Sequence, residues 1–355
     1  MDKVRVLFLP AVDASSVNAQ SLNVREIALR LDPARFSTTL WYECEPDPRL
    51  IGHDGIRLLR LPKRLRTAAI LREMLRGYDL IAYMDYSPAS YLFVHLPRIL
   101  RRRTKTVLHA EAPAAQLLDP PRLLRFLYEG VVSRCDAYTG ITDFVARDLY
   151  QKFGKKTICT LPVGVDTTRF MPPVQRANRS PVVLFAGTVI ERKGPQLLVE
   201  AAAAIPGAEF KIVGGGRGGF ENVVQQKICQ LGLANVSLDG AKSQAELLEI
   251  MRDSDIFVLP SRMEGIPKVT LESAASGLPC IVFSDYETPS VVDGVTGYQV
   301  QTFDELLQAL KRLIEDRELR TRMGIAARKY VEKFDWNVVF QRWQDAYLDI
   351  ASVAR

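Results

Sequence analysis

The chain has 355 residues, of which 47% are hydrophobic and 25% are charged. This length suits two domains of ordinary size, and the composition excludes a mainly disordered or low-complexity protein. No apolar run approaches the roughly eighteen residues that a membrane-spanning helix needs. The opening segment MDKVRVLFLP holds only a short apolar run that ends at a proline, without a small-residue cleavage site after it. We therefore expect no secretory signal.

The five cysteines are widely scattered, and no histidine cluster lies near them. This spacing excludes a disulfide framework and a cysteine zinc site, and it indicates a reducing compartment. We therefore expect a cytoplasmic protein.

The basic excess of the chain lies entirely in its first half. Residues 1–170 hold 26 bases and 18 acids, a net charge of +8, whereas residues 171–355 have a net charge of −2. Two stretches, 57–76 and 98–105, carry seven and five of these bases. They indicate a solvated basic face, an anionic membrane surface or an anionic acceptor. No nucleic-acid-binding motif accompanies them, so we expect no nucleic acid partner.

Short apolar runs alternate with amphipathic helical patterns along the chain. In the first half, the predicted strands are 4–9, 36–42, 80–84, 104–110, 137–141 and 157–162, and the clearest helices are 23–31 and 121–134. A linker rich in proline and polar residues occupies 172–181. Beyond it, the predicted strands are 181–187, 209–215, 235–240, 255–261 and 280–284, and the last helix is 337–352.

This alternation predicts an α/β protein with two doubly wound parallel sheets, each covered by helices on both faces. Ligands of such sheets bind outside the carboxyl ends of the strands. We therefore expect the chemistry in loops that directly follow strands, in a cleft between the two domains.

The most informative stretch is LPSRMEGIPKVTLESAASG at 259–277, which follows a predicted strand and opens a helix. Pro267 suits a first helical turn. The amides near Lys268, Val269, Thr270 and Leu271 would then form a helix N-terminus able to hold a phosphate. Glu264 could face a ligand while Glu272 grips an adjacent pair of ribose hydroxyls. Two surface glutamates around an ordinary helix start remain the alternative.

Two further loops follow predicted strands. In LFAGTVIERKG (184–194), a strand ends at Gly187, and Arg192 and Lys193 then stand where they could neutralise a departing diphosphate. The alternative is a pair of solvent-facing cations. KIVGGGRGG (211–219) contains G-x-G-x-x-G, with Asp239 at the spacing of a dinucleotide fingerprint, so a nicotinamide dehydrogenase stays open. That fingerprint belongs at the first strand–helix turn of a domain, which this loop is not.

Six motifs in one order carry a resemblance: LPVGVD-x3-F-x-P (161–172), FAG-x5-KG (185–194), IVGGG (212–216), PS-x2-EGIP-x3-LE (260–272), GLPCIV (277–282) and DGVTGYQV (293–300). Over 140–350 the chain resembles the retaining GT-B glycosyltransferases of glycosyltransferase family four. The resemblance implies two Rossmann-like domains facing a cleft: an acceptor-binding domain at 1–165 and a donor-binding domain at 166–336. It also implies that 337–355 crosses back to the first domain.

By this resemblance, Glu272 binds the donor ribose, Glu264 lies near the sugar and Lys193 binds the donor phosphates. The other donor-binding residues that it implies are Gly187, Thr188, Arg192, Gly214, Gly265, Ile266, Pro267, Lys268, Val269, Thr270 and Leu271. His109 matches a catalytic histidine of the family, although Glu111 or Ala112 also aligns there and a packing role stays open.

The chain departs from the family pattern at three places. Thr188 stands where the family often has arginine, so that Arg192 would supply the second cation. Val163 replaces a frequent asparagine. The glycine pair after the first strand is replaced by Ser15 and Ser16, with Asn18 nearby, and these residues would form the N-terminal contact to the donor.

The predicted function is transfer of a sugar, with retention, from a nucleotide-diphosphate sugar to a hydroxyl of a glycan or lipid-linked acceptor. No cofactor is expected, and no obligatory metal, because no D-x-D motif flanked by hydrophobic residues is present. A nucleotide-sugar epimerase and a catalytically silent membrane-binding protein are the alternatives.

The basic first half would serve an anionic acceptor or the inner face of the membrane that bears it. Leucines and Ile70 between the bases of 57–76 would add shallow insertion.

Overall fold

The computed structural model describes residues 2–13, 19–62, 64–84, 88–100, 103–113, 125–174 and 180–352. The chain divides into two units, each built on its own parallel sheet. The first unit comprises Met1–Val163 and Val339–Arg355, and the second comprises Gly164–Val338.

The first sheet has seven strands in the order β3-β2-β1-β4-β5-β6-β7, and all neighbouring pairs are parallel. Their bounds are β1 Val4–Ala11, β2 Phe36–Tyr42, β3 Ile56–Arg60, β4 Leu80–Tyr83, β5 Lys105–Ala110, β6 Ala137–Gly140 and β7 Cys159–Thr160. The central strands are apolar on both faces, as buried parallel strands are; Val6, Leu7 and Phe8 have no exposed surface.

Within the described residues, the helices that precede the second unit are α1 Ala19–Ala28, α2 Arg66–Met74, α3 Pro88–Ile99, α4 Arg125–Arg134 and α5 Asp143–Phe153. Helix α5 shows how local sequence sets the bounds. Its N-cap is Thr142, whose hydroxyl accepts from the Val145 amide, and it ends at Gly154 in the left-handed conformation. The last helix of the chain, α12 Trp336–Ser352, belongs to the first unit from Val339 onward.

The second sheet has six parallel strands in the order β10-β9-β8-β11-β12-β13. They are β8 Val182–Ala186, β9 Glu209–Val213, β10 Val236–Leu238, β11 Ile256–Leu259, β12 Cys280–Phe283 and β13 Gly297–Val300. The strand order reverses between β8 and β11, which are direct neighbours. Loops that follow these two strands therefore meet at the carboxyl edge, where open α/β sheets bind ligands.

Six helices surround the second sheet: α6 Pro195–Ala204, α7 Phe220–Gln230, α8 Gln244–Arg252, α9 Lys268–Ala275, α10 Phe303–Glu315 and α11 Arg317–Val331. Helix α8 begins with a capping box, in which Ser243 and Glu246 bond each other's backbone amides. Helix α9 has no side-chain cap, because its N-cap is Pro267.

The predicted class, two doubly wound parallel α/β sheets, is confirmed. Each sheet holds one strand more than the sequence predicted, and both extra strands, β3 and β13, lie at sheet edges. Arginines at both ends of IRLLR made β3 resemble a basic surface segment, and such charges are usual on edge strands.

The expectation that Ile70 inserts into a membrane is wrong. Ile70 is buried in the face of α2 that packs on the sheet. Part of the charge in the same stretch is also neutralised internally, since Arg57 and Arg76 both pair with Glu73.

Candidate functional site

The loops after β8 and β11 touch each other at the point where the order of the second sheet reverses. Gly194, in the left-handed conformation, lies so close to Pro260 that an added Cβ would be 2.5 Å from the Pro260 carbonyl oxygen. Only glycine fits there. This approach brings a basic loop against an acidic loop about seventy residues further along the chain.

Four side chains of these loops form one polar cluster. Glu264 Oε1 lies 3.2 Å from Arg192 Nη1 and 3.3 Å from Lys193 Nζ, and it accepts a 2.8 Å hydrogen bond from Ser261 Oγ. Arg192 also donates to the Met263 carbonyl oxygen. Ser261 is fully buried, and Lys193 and Glu264 are largely so. The carboxylate is thus held rigidly through a single oxygen.

The second carboxylate oxygen of Glu264 accepts no hydrogen bond from any residue that the structure describes. It therefore stays available to a donor such as a sugar hydroxyl. Tyr286, in the loop after β12, lies close enough for the charges of this cluster to shift its pKa. Burial raises the pKa of Tyr286, the Glu264 carboxylate raises it further, and the Arg192 guanidinium opposes both.

Glu272 lies in helix α9 and is only 3% exposed. Its Oε1 has no hydrogen-bond partner among the described residues. Burial raises the pKa of Glu272, while the positive charges of Lys268 and Arg169 act in the opposite direction. Arg169 is itself anchored by a 3.1 Å hydrogen bond to Gln244. A buried carboxylate oxygen without a partner is costly unless a ligand supplies the missing donor.

The N-terminus of α9 has the expected position, directly after the loop that carries Glu264. The Thr270 amide is not free, because it donates to the Pro267 carbonyl oxygen at 3.0 Å. Lys268 and Val269 are the first two residues of the helix. Leu271 has no exposed surface, so its side chain serves the core and not a ligand.

The glycine loop after β9 is bound to the loop after β8. An added Cβ on Gly214 would lie 1.8 Å from the Gly187 carbonyl oxygen, so this position requires glycine. Its neighbour Gly216 is covered by Glu221, whose carboxylate occupies the place where a Cβ would stand. The Glu221 carboxylate, in the first turn of α7, lies against this loop and would repel a diphosphate there, which argues against the dinucleotide fingerprint and hence against the dehydrogenase alternative.

The structure does not join every predicted site residue to this cluster. Thr188 is exposed and forms no hydrogen bond with Glu264 among the described residues, and Gly265 and Ile266 are buried without a polar side-chain atom to add to the cluster. Ser15, Ser16 and Asn18 lie outside the described residues. No group of three or more histidine, cysteine, aspartate or glutamate side chains suited to a metal ion occurs within the described residues.

His109 lies in the first unit at the carboxyl end of β5 and is 2% exposed. Its Nδ1 is 2.6 Å from Thr139 Oγ1, its Nε2 is 2.9 Å from Tyr347 Oη, and its ring packs on Trp343. Burial lowers the pKa of His109 to about 3. The gap that His109, Glu111 and Trp343 line has no room for a water molecule. This arrangement favours the packing role that the sequence left open.

Two family models match consecutive parts of the chain. The model described as Glycosyl transferases group 1 matches residues 166–330, and the model described as Glycosyltransferase Family 4 matches residues 24–169. The chain belongs to glycosyltransferase family 4.

Curated relatives agree with this family. A GDP-mannose-dependent monoacylated alpha-(1-6)-phosphatidylinositol monomannoside mannosyltransferase of Corynebacterium glutamicum is 29% identical over 58% of this chain and 60% of its own length. A D-inositol 3-phosphate glycosyltransferase of Corynebacterium jeikeium is 29% identical over 65% of this chain and 61% of its own. The matched region thus spans about three fifths of these relatives.

Solved structures of the same fold cover nearly the whole chain. Sucrose-phosphate synthase from Thermosynechococcus elongatus superposes with a TM-score of 0.82 at 18% identity, covering 99% of this chain and 100% of that one. Anabaena HepE, in complex with UDP and glucose, superposes with a TM-score of 0.81 at 17% identity, covering 98% and 100%. At this identity the likeness shows the fold.

Three residues near the cluster were not singled out from the sequence. Ser261 stands in the PS-x2-EGIP motif of the family resemblance, so a signal for it was present. Arg169 stands in the spacer of LPVGVD-x3-F, and Tyr286 in a loop without any pattern. Nothing in the chain marks these two as neighbours of Glu272 and Glu264.

Proposed function

We propose that the protein transfers a sugar, with retention, from a nucleotide-diphosphate sugar to a hydroxyl of a glycan or lipid-linked acceptor. The second unit would bind the donor and the first the acceptor. The observation that carries this proposal is the cluster at the carboxyl edge of the second sheet. There, Arg192 and Lys193 meet on Glu264, and helix α9 begins and carries the unsatisfied Glu272.

Each part of this cluster suits one part of such a donor. Arg192, Lys193 and the first amides of α9 would hold the diphosphate. Glu272 Oε1 would accept a ribose hydroxyl, which supplies the donor that this buried oxygen lacks. Glu264, fixed through Oε1, would accept a sugar hydroxyl on its other oxygen. The two cations would carry the charge neutralisation that a divalent ion provides elsewhere, so no metal is required.

In the mechanism that retention implies, the bond between the anomeric carbon and the phosphate oxygen breaks. The acceptor oxygen then forms its bond to that carbon on the same face, and the acceptor proton passes to the leaving phosphate. The leaving group gains negative charge as the bond breaks. Lys193 and Arg192 therefore act most strongly on the transition state, because their charges stand where that charge develops.

The acceptor proposal rests on charge. The first half carries a net charge of +8, which a nucleotide bound by the second unit does not explain. An anionic lipid-linked acceptor, or the anionic membrane that bears it, would account for this excess. Among the described residues, no helix is long and apolar enough to cross a membrane.

Titration calorimetry with UDP and GDP tests the donor site. We expect Glu272→Ala to weaken binding of the preferred nucleotide by about tenfold to a hundredfold, the worth of a hydrogen bond to a charged group. Glu315→Ala, which removes an exposed glutamate of the same unit, is the matched control and should bind normally. Unchanged affinity in Glu272→Ala would rule out the ribose contact.

A transfer assay with UDP- and GDP-sugars, with and without membrane extract, tests the reaction itself. Release of nucleotide that depends on the extract supports transfer to an acceptor in it. Isomerisation of the sugar without release would instead establish the epimerase. If neither nucleotide release nor isomerisation occurs, the result supports the catalytically silent protein.

A further inference from the structure

Helix α3 of the first unit is apolar on both of its faces. Phe93 and Val94 point into the core, with exposures of 4% and 0%. On the opposite side, Leu92 is 51% exposed and Ile99 74%, and Leu100 just beyond the helix is 42% exposed. We call these three residues the α3 stripe. Their spacing, i, i+7 and i+8, places them on one side of a helix.

A surface helix normally carries polar residues on its outer face, and α3 carries only one charge, Arg98, in twelve residues. The stripe therefore needs an explanation. It does not cover an element of the first sheet, because the inner face of the same helix already does so. Large apolar side chains kept exposed together indicate a contact with another molecule or with lipid.

Arginines lie at the edge of the sheet where this stripe ends at Ile99 and Leu100. Helices α2, α3 and α4 each follow one strand and lead to the next parallel strand, so their last turns lie at the amino edge of the sheet. These turns and the chain just beyond them carry five exposed or half-exposed arginines: Arg72, Arg76, Arg98, Arg103 and Arg134. Glu73 is buried beneath them, and Asp136 is held by Arg98 at 3.1 Å.

We propose that the α3 stripe and these arginines dock the first unit on the surface of an anionic lipid bilayer, with the leucine and isoleucine side chains inserted between headgroups. The inference rests on the proposed membrane-side acceptor for the presence of a membrane, and it goes beyond it, because this surface lies at the amino edge of the first sheet and not at the carboxyl edge where ligands bind. Apolar side chains among bases are the composition of interfacial membrane contacts, in which insertion and attraction to anionic lipid act together.

A second copy of the chain fits this surface less well. A symmetric pairing would bring the same arginines of two copies together, and like charges repel. Three side chains also bury far less than the roughly 1,200 Å² or more of a stable interface. A lipid surface needs no such area and supplies the negative charge.

Co-sedimentation with vesicles tests the docking. The probes are phosphatidylcholine vesicles, and vesicles in which a third of that lipid is replaced by phosphatidylglycerol. We expect binding to the anionic vesicles only, falling as salt shortens the Debye length below about 8 Å. Leu92→Ser with Ile99→Ser should weaken it at least tenfold, and Arg72→Gln with Arg103→Gln about thirtyfold, from about two unit charges near the surface.

Matched variants of the second unit are the controls. Val223→Ser with Ile325→Ser removes two equally exposed apolar residues, and Lys311→Gln with Arg322→Gln removes two exposed bases. Both should bind vesicles as the unaltered protein does. Equal binding by all variants would overturn the proposal, as would a dimer in light scattering that Leu92→Ser with Ile99→Ser dissociates. Nucleotide affinity, measured on the same samples, reports separately on the donor site and should not change.

Discussion

His109 and Glu272 are buried at the carboxyl edges of the two sheets, and they differ in their hydrogen-bond partners. At the edge of the first sheet, both ring nitrogens of His109 lie within hydrogen-bond distance of protein hydroxyls, those of Thr139 and Tyr347. At the edge of the second sheet, Glu272 is equally buried, yet one of its oxygens has no partner among the described residues. Among the described residues, Glu264 likewise has contacts through only one oxygen.

We propose that this difference separates a structural group from one that binds a ligand. A buried polar atom that the protein satisfies adds to stability, whereas an unsatisfied one lowers it. The Glu272 oxygen therefore carries a cost that a bound donor would remove, and the His109 ring does not. Burial alone does not distinguish the two sites; the hydrogen-bond partners do.

The largest effect that tests this comparison concerns His109. Its pKa is lowered to about 3, so the folded protein keeps the ring neutral while the unfolded chain takes up a proton below about 6.5. Its contribution to stability is therefore fully present above about pH 6.5 and is lost as the pH falls toward 3. A shift of this size corresponds to about 5 kcal/mol in the free energy of unfolding.

His109→Gln removes this titration. We expect the variant to be less stable than the unaltered protein at neutral pH. The difference in their free energies of unfolding should narrow by about 1.4 kcal/mol per pH unit below about 6.5. Urea unfolding at several pH values measures it. His53→Gln, at an exposed histidine, should show no such narrowing. If the difference in the free energy of unfolding between the two proteins did not change with pH, His109 would take up its proton in the folded protein as readily as in the unfolded chain. The contrast between the edges would then fail.

The second effect concerns Lys193. Its ammonium group is largely buried against Glu264, at the edge where we propose that the diphosphate departs. Lys193→Met keeps the bulk of the chain and removes the charge, so we expect turnover to fall by about a hundredfold to a thousandfold. Nucleotide affinity should fall much less, because the charge acts mainly as the phosphate leaves.

Turnover is measured as nucleotide release in the transfer assay, and affinity by calorimetry. Lys311→Met, at an exposed lysine of the same unit, should leave both unchanged. A loss of nucleotide affinity with unchanged turnover at saturating donor would instead make Lys193 a simple binding residue.

The sequence predicted the second edge better than the first for a physical reason. Arg192, Lys193, Glu264 and Glu272 stand in short motifs directly after strands, and parallel strands bring such loops to one edge. β8 and β11 are neighbours, and this adjacency brings the loops into contact. It follows from the general topology of a doubly wound sheet. The exclusive use of Glu264 Oε1 could not be predicted, because it depends on the rotamers of four side chains.

His109 is different because its surroundings come from distant parts of the chain. Tyr347, which approaches its Nε2, lies 238 residues further on, in the last helix. A histidine at a strand end is compatible with catalysis or with packing until that partner is known. The two missed strands have a similar cause: β3 and β13 are edge strands, and only pairing with a neighbour distinguishes IRLLR and GYQV from surface loops.

The smallest effect concerns Glu264, and it sharpens the comparison most. The cations that we assign to the donor diphosphate both lie against Glu264 Oε1. A diphosphate must therefore compete with this carboxylate for Arg192 and Lys193. Glu264→Gln keeps the shape and the hydrogen-bond acceptor but removes the charge, so both cations become more available.

We expect Glu264→Gln to bind the nucleoside diphosphate about tenfold more tightly, which corresponds to about 1.4 kcal/mol, while its turnover falls because the sugar loses a charged partner. The nucleoside without phosphates should bind equally to both forms, since it does not reach the cations. Glu315→Gln is the control of equal charge change at an exposed position. Weaker diphosphate binding in Glu264→Gln would show that Glu264 contacts the nucleotide itself. The carboxylate would then act as an anchor of the donor, and not as the internal partner that holds two cations until a diphosphate takes its place.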